Sequence, residues 1–311
     1  MKEINKRNKA VLGVYHAPAA HWVGDAFHVR SLFTYNNHGR YLNPFLLLDR
    51  AGPTKFEASD KIRGVGSHPH RGFETVTLVY EGEVAHRDST GEGGTIGAGD
   101  VQWMTAARGI LHEEMLSESF SQKGGVLDMV QLWVNLPAEK KMDSPRYQQI
   151  IATDIPQFSV VEGGLMRIIA GQYPPNLFDD SIENREQAPQ QEPQYYQGPA
   201  NTATPVDLWD LVLQKEVKAE ILLPENRYVG IVVLKGEVRC NGEVLKETDL
   251  AILEREGNKT ILEAINESSI LILSGEMIDE PVVGHGPFVM NTREEIKQAS
   301  LDFMSGKFGE L

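Results

Sequence analysis

Short runs of β-branched and aromatic residues, closed off by glycine, fill the chain from about Gly13 to Asn135, and no helix-period segment competes with them there. Glu74-Thr-Val-Thr-Leu-Val-Tyr80 and Gly125-Val-Leu-Asp-Met-Val-Gln-Leu-Trp-Val134 are typical. A chain of this kind buries alternate side chains by packing sheet on sheet, so the expected fold class is all-β, a sandwich or barrel. With 311 residues there is room for two cores of ~150 residues each.

The expected organisation is a β domain over residues 1–136, a connecting stretch over 137–205 and a second β domain over 206–311. Within the connection, about 171–205 is rich in Pro, Gln, Asn and acidic residues, as in Ala188-Pro-Gln-Gln-Glu-Pro-Gln194, and reads as a long surface excursion or a lid. Near the end, Thr292 is followed three residues later by Glu295, the pattern of a capping box. Apolar residues then fall at Ile296, Ala299 and Phe303, which predicts a C-terminal helix over about 292–304. The two halves echo one another: Tyr80-Glu-Gly-Glu-Val84 resembles Leu234-Lys-Gly-Glu-Val238. Each is followed by an Asp leading an apolar strand, Asp100 and Asp249.

A formal charge of −14 and a pI near 5.1 repel phosphate and argue against direct nucleic-acid binding. Cys240 is the only cysteine, so there is no internal disulfide and no thiolate zinc cluster. No stretch approaches the ~18 apolar residues of a membrane span and Met1 to Ala10 lacks a signal-peptide core, which makes the cytoplasm the expected location.

Chemistry concentrates in two pairs. His68 and His70, in Ser67-His-Pro-His-Arg71, are two apart, which on an extended strand turns both imidazoles to one face. His112 and Glu114 repeat the spacing 42 residues after His70, in Gly109-Ile-Leu-His-Glu-Glu114. A lone strand histidine is usually a surface or hydrogen-bonded core residue; two matched pairs on glycine-bounded strands are better read as a metal site. Three imidazoles and a carboxylate suit one divalent ion per chain, with iron(II) the first expectation and nickel, copper, manganese or zinc also compatible. Glu113 falls on the alternate face and is the natural solvent-facing control. His16, His21, His28, His38 and His285 have no ligand-type spacing, and His86 with Arg87-Asp88 reads equally as pocket lining or as hairpin surface.

Gly66-Ser-His-Pro-His-Arg-Gly-Phe-Glu-Thr-Val76, Tyr80-Glu-Gly82, His86-Arg-Asp-Ser89 and Gly99-Asp-Val-Gln-Trp-Met-Thr-Ala106 through Met115 closely resemble the pirin signature, and Gly286-Pro-Phe-Val-Met-Asn-Thr292 resembles the end of pirins. The resemblance implies two cupin jelly-roll barrels in one chain, with the metal held by His68, His70, His112 and Glu114. Other cupins often use a glutamate at the position of Glu74, which is expected here to orient an imidazole from outside the ligand set. Aligned on the internal echo, the second lobe has Leu222, Pro224, Tyr228 and Ile261 opposite the ligand positions and only Glu263 in common, so it is expected to be metal-free.

Two functions follow from the resemblance. In the first, as in pirins that resemble quercetinases, the chain opens a flavonol-type substrate with O2 and releases carbon monoxide, Glu114 acting as the base. In the second, as in pirins that resemble transcriptional coregulators, it is a metal- and redox-dependent module for a protein partner. An open metal site that includes a carboxylate favours the enzyme.

Overall fold

The computed structural model describes residues 7–174 and 195–311, and strands dominate it as the glycine-punctuated sequence requires. The chain forms two compact units. One contains Tyr15–Asp154, Thr202–Thr204 and Gly275–Leu311; the other contains Met1–Val14, Ile155–Asn201 and Pro205–Ser274. These are not the contiguous blocks expected from the sequence, because each end of the chain joins the unit built by the other half. The excursion expected at about 171–205 lies mostly outside the described residues. Its flanks, Gln172–Tyr173 and Tyr196–Gln197, pair as a short antiparallel ladder.

In the smaller unit, the N-terminal strand Val11–His16 edges a seven-stranded sheet beside Asp249–Leu253. Lys9 anchors it: the buried ammonium donates to the carbonyls of Arg227 (3.0 Å), Glu254 (3.2 Å) and Arg255 (2.8 Å). A four-stranded sheet completes the unit, and its core includes Trp209, Ile221, Ile231, Cys240 and Ile272. Each of the three isoleucines, fully buried, contributes about 1.5–3 kcal/mol by leaving water.

The larger unit has the same two-sheet plan. Seven strands run in the order Arg146–Ile150, Val101–Thr105, Phe73–Glu81, Gly125–Asn135, Phe45–Phe56, Phe27–Thr34, His21–Val23. Four others run Gly64–His70, Ile110–Leu116, Glu83–Asp88, Gly93–Gly97. Val84, Ile96 and Leu116 of the smaller sheet share one core with Val29, Ala51, Val79 and Met129 of the larger. The internal echo is structural. Gly82 and Gly236 both take positive φ, where a side chain would run into the carbonyls of Val126 and Glu267, and both aspartates close the same turn. Asp100 accepts from the Gly97 amide and Asp249 from the Lys246 amide, each at 2.9 Å.

The C-terminal helix spans Arg293–Met304 and starts on the expected capping box, Thr292 with Glu295. Its inner face departs from the expected spacing: Ile296, Ala299 and Asp302 are buried, and Phe303 is exposed. Asp302 is buried because Arg71, the residue after His70, donates to it at 2.8 Å, and Lys307 does so at 2.7 Å. Lys307 and Arg71 hold this carboxyl well below its ordinary value of 3.8. Its contribution is therefore complete above about pH 4 and is lost on acidification. Asp302→Ala strands a buried guanidinium and is expected to cost about 3 kcal/mol, measured as a lower urea midpoint. No described helix is long and apolar enough to cross a membrane.

Candidate metal centre

The centre is organised by the strand Ile110–Leu116, which lies between two neighbours. On one side His112 stands opposite His68 and Ile110 opposite His70; on the other His112 faces Asp88 and Glu114 faces His86. The ligand atoms of His68, His70 and His112 all lie within 4.8 Å of one another, and so do those of His86, His112 and Glu114. Sequence spacing thus brought three of the expected residues together. Glu114 sits instead with His112 and with His86, which the sequence left undecided between pocket and surface.

Hydrogen bonds select which nitrogen each imidazole offers. A carbonyl can only accept, so His68 donates from Nδ1 to Gly66 O (2.9 Å) and His70 from Nδ1 to Pro287 O (3.4 Å), leaving each Nε2 with its lone pair. His112 Nδ1 lies 3.3 Å from His86 Nδ1, and its Nε2 is buried with no hydrogen-bond partner among the described residues. An orphaned buried ring nitrogen is costly unless something is bound to it, so the donor set fits a divalent ion held by three Nε2 atoms. Burial, reinforced by its histidine neighbours, pushes His70 down to about 3 and His112 well below its ordinary value. Both imidazoles are therefore neutral, the form that binds metal.

Glu114 is reached from the facing sheet. Its Oε1 accepts from Thr77 Oγ1 (2.9 Å) and Gln102 Nε2 (3.2 Å), which leaves Oε2 for a proton or an ion. Thr77 belongs to a row of polar residues directly opposite one another on five strands: Ser31, Asp49, Gln131, Thr77 and Gln102. Ser31 Oγ donates to Asp49, whose carboxyl is raised by burial. Asp49 and Gln131 line a cavity of about 330 Å³ together with His68, His70 and Glu114. Its apolar walls are Val23, Phe27, Val29, Val65, Met129 and Trp133.

Glu74 does not orient an imidazole. On a regular strand it faces away from Thr77, and its Oε1 accepts from Thr105 across the ladder at 2.7 Å. Glu113 is on the alternate face, as expected, but it is half-buried and paired with Arg87 rather than solvated. His16, His21, His28, His38 and His285 fall in neither cluster.

Comparison with known proteins agrees with this architecture. The family model for pirin matches residues 26–134, and that for the pirin C-terminal cupin domain matches residues 208–309. A protein of Pseudomonas aeruginosa named as a candidate quercetin 2,3-dioxygenase is 50% identical over 301 residues, covering 96% of this chain and 98% of that one. Mouse pirin is 35% identical over 281 residues, covering 86% and 83%. The crystal structure of a quercetin 2,3-dioxygenase from Acinetobacter baumannii superposes with a TM-score of 0.88 at 46% identity, covering 98% and 99%. Two cupin domains of this sequence, over nearly the whole length of such relatives, place the chain in the pirin family.

Proposed function

We propose that the chain is a metal-dependent dioxygenase that opens a flavonol-type substrate with O2 and releases carbon monoxide. The observation that carries this reading is the cluster of His68, His70 and His112, two of whose members line an apolar cavity together with Glu114, Asp49 and Gln131. Relatives named for quercetin 2,3-dioxygenase support it. His68, His70 and His112, with Glu114 nearby, would hold a divalent ion, which would supply Lewis-acid polarisation of the flavonol 3-oxygen. Iron(II) is the first expectation, and nickel, copper, manganese and zinc also match the donors.

The chain's own residues do the rest. Glu114 takes the 3-hydroxyl proton on Oε2 while Thr77 and Gln102 hold Oε1 still. Phe27, Val29, Met129 and Trp133 cover the flat faces of an aromatic ligand and exclude water. Asp49 and Gln131 receive ring hydroxyls, which suits a polyhydroxylated substrate. The test is oxygen uptake on adding quercetin to protein loaded separately with iron(II), nickel, copper and manganese. At least one form is expected to consume O2 and the metal-free protein none. If all four are fully loaded and none reacts, the reading fails and the metal-dependent interaction module becomes the better one.

A further inference from the structure

Beside His112 lies a hydrogen-bonded pair, His86 and Asp88, that the proposed reaction does not use. His86 is buried; its Nε2 is 3.2 Å from Asp88 Oδ2 and its ring stacks on Tyr147, centroids 5.0 Å apart. Asp88 can only accept, so His86 carries its proton on Nε2. Gln102 gives Nε2–H to the carboxylate of Glu114 at 3.2 Å, and its Oε1 accepts from the Tyr147 hydroxyl at 3.4 Å. The same amide nitrogen lies 3.2 Å from His86 Nδ1, which must therefore be an acceptor. The bond from His112 Nδ1 to that atom, at 3.3 Å, has its proton on His112. Both bonds to His86 Nδ1 are long, as fits one lone pair shared by two donors.

We propose that Asp88 and His86 are positioning residues for His112: the relay from Asp88 through His86 fixes the tautomer and ring orientation in which His112 presents Nε2 to a metal ion. This rests on the metal-centre reading above. Carbonyls do the same for His68 and His70, but a carbonyl has no alternative state. His86 has one, so Asp88 is needed to set it.

Asp88→Asn separates this role from packing. Asp88 Oδ1 accepts from the Thr90 amide at 2.8 Å, so an asparagine keeps its oxygen there and turns its NH2 group toward His86. His86 then carries its proton on Nδ1, facing the proton on His112. Zinc(II) is the probe, because it is diamagnetic and redox-silent. Its affinity, by chelator competition, is expected to fall about 10–100-fold in Asp88→Asn and in His86→Leu, the range seen for partners of metal-ligating histidines. His86→Gln, which retains an acceptor, recovers part of the loss. Nitrogen-15 spectra of the zinc-loaded protein are expected to show His86 protonated at Nε2 in the parent and at Nδ1 in Asp88→Asn. Affinity within threefold of the parent in both folded variants overturns the relay while leaving the metal centre intact. Two zinc ions per parent chain, falling to one in His86→Leu, also overturn it by making His86 a ligand. A parent that binds no zinc removes the metal reading and the relay with it.

Discussion

His112→Ala is expected to empty the metal centre. His112 belongs to both histidine clusters, its Nε2 is the buried orphan, and it lies between the neighbouring strands that carry His68 and His86. Loss of an outer hydrogen-bond partner costs about 10–100-fold in affinity, so loss of this ligand should exceed 100-fold. Elemental analysis after dialysis should give one ion per parent chain and close to none for the variant. His285→Ala, exposed and outside both clusters, should match the parent. An ion retained in His112→Ala, which removes a ligand from both clusters, would contradict a metal-free second lobe.

Glu114→Gln should separate binding from turnover. The amide keeps an oxygen to accept from Thr77 and Gln102 and replaces the free oxygen with a group that takes no proton. Metal should be partly retained while flavonol turnover falls by about 10²-fold or more, the scale of a lost general base. Glu113→Gln, one residue away on the other face and paired with Arg87, should turn over like the parent. Equal losses in the two variants would show that the effect comes from disturbing the strand.

Much of the centre was legible because strand geometry is local. Two-residue spacing puts His68 with His70, and His112 with Glu114, whatever the rest of the chain does. What bridges those pairs is set by register between distant strands. His86 meets Glu114 only because Glu83–Asp88 pairs with Ile110–Leu116 at that offset, and no local pattern encodes it. The polar row from Ser31 to Gln102 likewise needs the registers of five strands. Glu74 differs for a simpler reason: its parity with Thr77 puts it on the far face, where Thr105 donates to its Oε1. The exchange of termini rests on Lys9 with its three carbonyls and on Asp302 with Arg71, contacts between residues more than 200 positions apart.

The measurement closest to the central claim is headspace carbon monoxide during quercetin oxidation under air by the most active metal form. Flavonol ring opening by a dioxygenase predicts one carbon monoxide released per O2 consumed, with none from the metal-free protein or from His112→Ala. Quercetin bleached with O2 uptake but without carbon monoxide would contradict that chemistry, as would release that persists at the parent rate in His112→Ala.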